Sequence, residues 1–248
     1  MKRSQFSART AENNLSPKVD LKIDWATHDA AKFAVENWHY SKCLPAGKIV
    51  KVGVWENKKF IGVVLFSRGA NNNLGKPYGL STIEVCELTR IALTKHNTTV
   101  SRIVSIAMLF LKKNSPGLRL IISYADPDQN HHGGVYQAGG WIYAGKTTAA
   151  DEYIVHGARM HGRSMRQKYG THVGKSFIKK CLGSSKHRYL KPLDNLIRDE
   201  LTKLSKTYPK RALSKEIVAS GFRPEEGGAS PTNALQKEHI DKRDTYER

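Results

Sequence analysis

The sequence contains little cysteine, and the three cysteines are not arranged for pairing. Cys43, Cys86 and Cys181 are scattered over 248 residues, without CxxC or other close spacing. This pattern argues against a disulfide framework and against a thiolate zinc site, and it favours a reducing compartment.

Long apolar runs are missing as well. The first ten residues, MKRSQFSART, are polar, and no later stretch has the apolar length that a membrane span or a signal peptide requires. We therefore expect a cytoplasmic protein without a membrane partner.

The signature motifs of several large enzyme classes are absent. The chain has no GxSxG, Walker loop, HExxH or Rossmann glycine fingerprint, which argues against hydrolase, nucleotidase, zinc-protease and dinucleotide-dependent functions. The FxGxG and DPPY motifs of DNA methyltransferases are missing too. Their nearest match, YADP at 124–127, lacks the second proline and the aromatic residue.

Acidic residues are few, and the imbalance of charge is local. The chain has 41 Lys and Arg against 22 Asp and Glu, a formal net charge of +19, and residues 156–215, with 16 cations and three acids, contribute +13. Clustered cations gain affinity by releasing counterions from phosphates, so we expect a nucleic acid as a partner; the alternative is a solvated basic surface that binds nothing in particular. The candidate contacts are Arg159, Arg163, Arg166, Lys168, Lys175, Lys179, Lys180, Lys186 and Arg188.

The hydrophobic pattern predicts a mixed α/β fold. Helical spacing alternates with apolar runs of strand length, which indicates a mostly antiparallel sheet with helices on its faces. The second predicted helix has Thr98 or Thr99 as its cap. The predicted elements are a helix at 26–38, a hairpin at 48–55 and 60–66, a strand at 84–93, a helix at 100–113 and a buried strand at 118–124.

Composition divides the chain into four predicted parts. Residues 1–20 are polar and expected to be flexible, and residues 21–155 form the predicted catalytic domain. A basic nucleic-acid-binding extension follows at 156–215, with one short amphipathic helix near Leu196. Residues 216–248 have few apolar groups and are expected to be disordered.

Polar residues that could carry chemistry cluster in three places. His39 and Tyr40 follow the first helix, Asp126 follows the buried strand, and Tyr136 comes after a His-His-Gly-Gly stretch. Imidazole, carboxylate and phenol groups together could bind a transition metal, iron more readily than zinc or magnesium, or act as a general acid and base. The alternative is that His39 caps its helix, Asp126 bonds its turn and the tyrosines belong to the core.

The chain resembles the Mom family of bacteriophage DNA modification proteins over roughly residues 30–210. This resemblance implies a GNAT-like acyltransferase fold. It also implies conversion of the exocyclic amine of adenine in DNA to a methylcarbamoyl derivative, which protects phage DNA from host restriction. The segments that carry it are WHYSKCLPAGK (38–48), GVWENKKFIGVVLFSRGA (53–70), ELTRIAL (87–93), SRIVSIAM (101–108), ISYADPDQNHHGGVYQAGGWIYAGKT (122–147) and KHRYLKPL (186–193).

The family resemblance also implies iron and acetyl-CoA. The positions that match for the metal and the catalytic site are His39, Tyr40, Asp126 and Tyr136, while Arg90 and Ser101 match for acetyl-CoA. The loop at 94–102 has no glycine, unlike the usual pyrophosphate loop of acetyltransferases. Amides at a helix N-terminus, with Arg102 nearby, can still hold a phosphate.

A base inside a duplex must be flipped out before such an enzyme reaches it, and flipped bases stack on aromatic side chains. Trp38, Tyr78, Trp141 and Tyr143 are the candidates. Two other functions stay open: acetylation of a protein or tRNA amine, and non-catalytic nucleic-acid binding. The sequence also leaves a homodimer open.

Overall fold

The structure, a computed structural model, describes residues 19–211 except 46, 70, 71, 172 and 173, and it leaves out the side chains of His161, Arg163, Ser164 and Gln167. The described residues belong to one unit that ends at Arg211. The predicted flexible N-terminus lies almost wholly outside this description, and the predicted disordered tail lies outside it entirely.

Ten strands and five α-helices are present in this described part. The strands are β1 (Leu21–Trp25), β2 (Ile49–Glu56), β3 (Lys59–Ser67), β4 (Val85–Leu93), β5 (Leu120–Ala125), β6 (Ile142–Lys146), β7 (Asp151–Val155), β8 (Ala158–His161), β9 (Ile178–Leu182) and β10 (His187–Pro192). The helices are α1 (His28–Trp38), α2 (Val100–Asn114), α3 (Gly134–Ala138), α4 (Gly162–Tyr169) and α5 (Asn195–Thr202).

The main sheet has seven strands in the order β1-β2-β3-β4-β5-β10-β6. All neighbours are antiparallel except β4 and β5, which are parallel and are joined through α2. The predicted fold class is therefore confirmed. Strand β1 was not predicted; it pairs with β2 along its whole length and extends the sheet at that edge.

Helices cover both faces of the main sheet. Helix α2 buries Ile103, Val104, Ala107, Met108 and Leu111 at helical spacing against one face, as its apolar stripe predicts. On the other face, α1 packs on β3 and β4, and α5 packs on β5 and β10. The two faces are therefore distinct layers, which allows each functional side chain to be assigned to one side.

The start of α2 differs from the prediction. Thr99 is the N-cap residue, but its hydroxyl makes no capping hydrogen bond. The Thr98 hydroxyl donates instead to Glu56, the last residue of β2 (2.7 Å). An acidic side chain from another element therefore satisfies the donors just before this helix.

The predicted boundary at residue 155 does not match the fold. Strand β10, which lies within the predicted extension, is inserted between β5 and β6, and Tyr189 and Leu190 are fully buried there. The alternation of cations with apolar residues in this strand produces a basic composition and conceals a core strand. The correction is that the domain includes β10 and α5 and continues to Arg211.

Between β6 and β10 the chain forms a second, smaller sheet. Its strand order is β8-β7-β9, and α4 packs on one side of it. Four residues form its small buried core: Tyr153, Val155, Met165 and Ile178. We call residues 151–182 the basic insertion, because many of the predicted DNA contacts lie in it. No helix in the described part of the chain is long and apolar enough to cross a membrane.

Asp194 ties α5 to the main sheet, and its removal tests the revised domain boundary. Its carboxylate accepts from the Ile197 amide at the start of α5 (2.9 Å) and from Arg119 Nε beside β5 (2.8 Å). Asp194→Ala is expected to lower the free energy of unfolding by roughly 1–2 kcal/mol, since it removes a helix cap and a partly exposed ion pair. Urea unfolding measures this change.

The matched control is Asp199→Ala, which removes an exposed carboxylate from the same helix. A change below about 0.5 kcal/mol is expected for the control. Equal effects of the two substitutions would contradict the tie between α5 and the sheet.

Candidate active site at the parting of two parallel strands

Strands β4 and β5 pair over only four residues and then part. Their parallel register runs from Val85 with Leu120 to Leu88 with Ser123, although β4 continues to Leu93. The register of β4 against β3 shifts between Leu88 and Arg90, so Thr89 is an extra residue in a bulge. The bulge re-aims β4, and we call the gap between the two strands beyond Leu88 and Ser123 the cleft.

A side chain closes the base of this cleft. The Ser123 hydroxyl donates to the Leu88 carbonyl (2.9 Å), which replaces a main-chain bond lost where the strands part. The Tyr136 hydroxyl lies 2.8 Å from the same serine oxygen. The two hydroxyls and the carbonyl form a hydrogen-bonded chain that ends at the cleft.

Gly133 allows α3 to present Tyr136 in this position. Its φ of +86° is in the left-handed region, and a Cβ there would collide with the ring of Tyr189. The Tyr136 ring then lies between Trp141 and Tyr189, with centroids 5.0 and 5.1 Å away. Burial, together with nearby Tyr40 and Glu87, raises the pKa of Tyr136 to about 12, so the phenol keeps its proton.

His39 is the C-cap residue of α1 and is only 8% exposed. Burial, reinforced by the positive charge of Arg90, lowers the pKa of His39 to about 4. The imidazole is therefore neutral at neutral pH. A neutral, nearly buried imidazole can accept a proton or bind a metal.

The surroundings of His39 allow two tautomers. The Nδ1 atom lies 2.8 Å from Ser41 Oγ, which donates to the Cys43 carbonyl at 3.3 Å. If Nδ1 carries the proton, it donates to Ser41 and Nε2 keeps its lone pair. If Nε2 carries the proton, Nδ1 accepts from the Ser41 amide, which lies 3.1 Å away. Only the first tautomer offers a base at Nε2.

Tyr40 provides an exposed aromatic surface beside His39. Its ring is tilted by 31° over the imidazole with centroids 4.3 Å apart, and it meets His131 edge-on at 5.5 Å. The residue is 51% exposed, whereas Trp141 and Tyr143, which we named as candidate stacking partners, are buried in the core. A planar ligand at this position would meet Tyr40 first.

Asp126 is engaged by its own neighbourhood. Lys186 Nζ lies 3.1 Å from one carboxylate oxygen, and the other accepts from the Asp128 amide (3.1 Å) and the Ser184 hydroxyl (3.2 Å). Partial burial acts to raise the pKa of Asp126, but the bond and charge of Lys186 outweigh it and hold that pKa below its usual value. Asp126 is thus a charged anchor for the turn after β5.

This arrangement does not fit an iron site. Among the described residues, no three His, Cys, Asp or Glu side chains are grouped so that they could hold a metal ion. Asp126 is paired with Lys186, and Tyr136 is a protonated phenol bonded to Ser123. The implied iron therefore finds no support here, and the roles of His39 and Tyr40 as ligands stay predictions.

The residues predicted for acetyl-CoA lie at two different places. Arg90 shares a sheet face with Ala92, which packs under α1, and its charge acts on His39. Ser101 and Arg102 are in the first turn of α2, on the other face. The structure thus brings Arg90 to His39 rather than to the start of α2.

Sequence reasoning missed Ser123 and Glu87. Ser123 is a single hydroxyl in the apolar run LIISYA, and Glu87 lies next to the apolar Leu88 in β4. A polar residue within a strand that the apolar pattern predicts to be buried is the feature by which the sequence could have indicated them. The Arg90 Nε atom near the cleft is also buried, and no hydrogen-bond partner is found for it in the described part of the protein.

Three of the predicted DNA contacts are held in ion pairs. They neutralise acids that flank them within the basic insertion or in the turn after β5, so each has less charge to offer to phosphates. The pairs are Arg159 with Glu152 at 2.7 Å, Lys180 with Asp151 at 2.9 Å and Lys186 with Asp126 at 3.1 Å.

The remaining candidates differ in exposure. Arg188 is half-buried in the main sheet and donates to the Ala144 carbonyl, and Lys175 donates to the Tyr169 carbonyl. The side chain of Arg163 lies outside the described residues. Arg166, Lys168 and Lys179 are exposed on the basic insertion.

The sequence comparison identifies the family. Residues 20–210, more than three quarters of the chain, match the model of the Mom protein family. The chain belongs to this family. A comparison with curated proteins gives no match.

Three solved structures of acyltransferases have a similar fold, and each is distant from this Mom protein. An aminoglycoside acetyltransferase in complex with coenzyme A and kanamycin is 10% identical, with 74% of this chain and 99% of that chain covered and a TM-score of 0.45. A Bacillus subtilis acetyltransferase in complex with CoA is 14% identical (71% and 99% covered, TM-score 0.40). An N-acyl amino acid synthase from uncultured soil microbes is 11% identical (77% and 98% covered, TM-score 0.42).

The neutrality of His39 makes stability depend on pH. The unfolded chain takes up a proton near pH 6.5, whereas folded His39 takes it up near pH 4. The unfolded state binds more protons in this window, so stability is lost as the pH falls from about 6.5 to about 4. Relative to His39→Gln, the wild type should lose up to about 1 kcal/mol per pH unit in this range.

Urea unfolding at four pH values between 7 and 4 measures this difference. His28→Gln, at the exposed start of the same helix, is the control and should follow the wild type. A difference between wild type and His39→Gln that does not vary with pH would contradict a neutral His39.

Proposed function

We propose that this Mom protein modifies the exocyclic amine of adenine in DNA, converting it to the methylcarbamoyl derivative that the family resemblance implies. The observation that carries the proposal is a neutral, nearly buried imidazole beside an exposed aromatic ring. Family membership over residues 20–210 supports this assignment. The modification would shield DNA from restriction.

The chemistry needs a base, because the adenine amine is a weak nucleophile and loses a proton when its new bond to carbon forms. His39 can take this proton at Nε2 when Nδ1 carries a proton that it donates to Ser41 Oγ, which requires the Ser41 amide to release Nδ1. Burial raises the pKa of Tyr136 to about 12, so this phenol keeps its proton, donates to Ser123 and supports the floor of the cleft. Tyr40 offers the surface on which a flipped base could stack.

An acyl-CoA thioester is the proposed donor of the two-carbon unit, with the CoA thiol as the leaving group. The methylcarbamoyl product further requires an amide nitrogen and a two-electron oxidant, which separate co-substrates would have to supply. Beyond Leu88, β4 no longer pairs with β5, so its main-chain groups on that side face the cleft. An extended amide chain such as pantetheine can pair with an unpartnered strand edge. The cleft thus suits the acyl end of the donor and leads towards Arg90 and His39.

The basic insertion is the proposed DNA grip. In the described part of the chain, no ion pair involves Arg166, Lys168 or Lys179. Arg159, which contacts Glu152, also lies 3.5 Å from Asp128 in the turn after β5. This ion pair joins the insertion to the turn that carries Asp126, so DNA held on the insertion would lie near the cleft.

Mass spectrometry of nucleosides tests the proposed reaction. Expression of the wild-type protein in a bacterial host, followed by digestion of the host DNA, should yield a heavier deoxyadenosine. His39→Gln is expected to reduce this product by at least about 100-fold, in the range that a general base contributes. Plain deoxyadenosine alone, from cells with abundant folded protein, would refute the proposal.

The control is His28→Gln, which should keep wild-type product. Incubation with labelled acetyl-CoA and either protein or tRNA separates the alternatives. Label in those substrates with unmodified DNA would favour acetylation of a protein or tRNA amine. An unchanged cellular phenotype in His39→Gln would favour a non-catalytic nucleic-acid-binding protein.

Salt dependence of DNA binding tests the grip. The triple substitution Arg166→Ala, Lys168→Ala and Lys179→Ala should weaken binding to a DNA duplex. The slope of log affinity against log salt should fall by about 2 to 3, since each lost phosphate contact removes about 0.9. Fluorescence anisotropy at several salt concentrations gives this slope.

A control with the same change of charge uses exposed lysines away from the insertion. Lys58→Ala, Lys59→Ala and Lys113→Ala together should leave the slope within about 1 of the wild type. Equal loss of slope in both triple variants would mean that net charge, rather than the basic insertion, determines binding.

A further inference from the structure

A buried carboxylate already occupies the segment that leads into α2. Glu56 ends β2 and is 6% exposed. Its two oxygens accept three hydrogen bonds from that segment: from the Asn97 amide at 2.9 Å, the Thr98 amide at 2.8 Å and the Thr98 hydroxyl at 2.7 Å. These two amides lie immediately before Thr99, the N-cap residue of α2, and next to the first-turn amides that an anion at a helix N-terminus uses.

The surrounding backbone fixes this carboxylate. Asn57 and Lys58 both have positive φ values, 51° and 64°, so the turn after Glu56 is tight. The Thr94 amide donates to the Ile61 carbonyl at 2.9 Å, which anchors the loop to β3. His96 Nδ1 lies 2.6 Å from the Thr94 carbonyl. Hydrogen bonds therefore hold the segment to Glu56 and to β3.

The Glu56 carboxylate is ionised and places a negative charge beside the segment that leads into α2. Burial acts to raise its pKa, but the hydrogen bonds from Thr98 and Asn97 outweigh burial and hold the pKa below its usual value. The ionised carboxylate occupies the amides of Asn97 and Thr98 and repels a second anion beside it. The absence of glycine from residues 94–102 fits a loop that does not wrap around a pyrophosphate.

We propose that Glu56 is a built-in substitute for a phosphate, which closes the start of α2 to the pyrophosphate of a nucleotide cofactor. An acyl donor would then be recognised through its acyl and pantetheine part alone. The statement about the start of α2 depends only on the contacts of Glu56, whereas the statement about the donor rests on the proposed function.

Amide chemical shifts of the full-length protein test the closed site. Inorganic pyrophosphate and coenzyme A are titrated separately into wild type and into Glu56→Ala, with the amides of Asn97 and Thr98 as reporters. In wild type these two amides should not shift, even if the basic insertion binds either anion. In Glu56→Ala both amides should shift on addition of pyrophosphate, because their donors are free.

Glu84→Ala is the matched control, since Glu84 also accepts from a backbone amide and a hydroxyl, both of Ser81. Its Asn97 and Thr98 amides should behave as in wild type. If Glu56→Ala does not fold, Glu56→Gln, which removes the charge and keeps the size, takes its place. Shifts of these amides in wild type, or their absence in the folded Glu56 variants, would overturn the proposal.

Donor binding is measured separately by titration calorimetry with acetyl-CoA and S-acetylpantetheine. In the presence of 0.5 M salt, which suppresses nonspecific binding to the basic surface, wild type should bind the two within about threefold. A preference for acetyl-CoA above about tenfold that disappears on adding pyrophosphate would overturn recognition without the pyrophosphate. Binding of neither compound would refute the acyl-CoA donor, while the amide shifts still decide the role of Glu56.

Discussion

The short parallel pairing of β4 with β5 is the constraint on which the site depends. Four residue pairs hold these strands together, and the bulge at Thr89 then turns β4 away. Full pairing would leave no cleft in the sheet. The parting leaves main-chain groups without a strand partner, and Ser123 satisfies one of them at the Leu88 carbonyl. The Tyr136 hydroxyl is hydrogen-bonded to the same serine hydroxyl. The group that satisfies the parted strand therefore also positions the phenol at the base of the cleft.

Charge is distributed unevenly between the cleft and the basic insertion. The titratable groups near the cleft are neutral or held in an ion pair, whereas the insertion has exposed cations. Near the cleft, His39 is held neutral by burial and by the nearby cation Arg90, and Asp126 is neutralised by Lys186. On the insertion, several cations face solvent without an acidic neighbour. In the proposed function, a polyanion would be drawn to the insertion, while the imidazole beside the cleft stays uncharged.

Two acidic side chains, one buried and one partly exposed, serve as internal ligands for backbone donors. Glu56 binds the amides before α2, and Asp194 binds the start of α5 and Arg119. Each joins elements distant in sequence, so each stabilises tertiary structure and also occupies donors that an external anion could have used. In this protein the acids are few, and these two lie at positions where their charge organises the fold.

The sequence by itself determined the mixed sheet, both helices that cover its middle and the family. Apolar spacing is a local property, so α1, α2, β3 and β5 were predicted within a few residues of their observed bounds. The sequence also identified His39, Tyr40 and Asp126 as polar residues that could carry chemistry. Only the tertiary structure decided that β10 lies within the sheet, that Asp126 pairs with Lys186 and that Glu56 fills the start of α2. These facts depend on contacts between residues 40 to 70 positions apart, and no local pattern encodes such contacts.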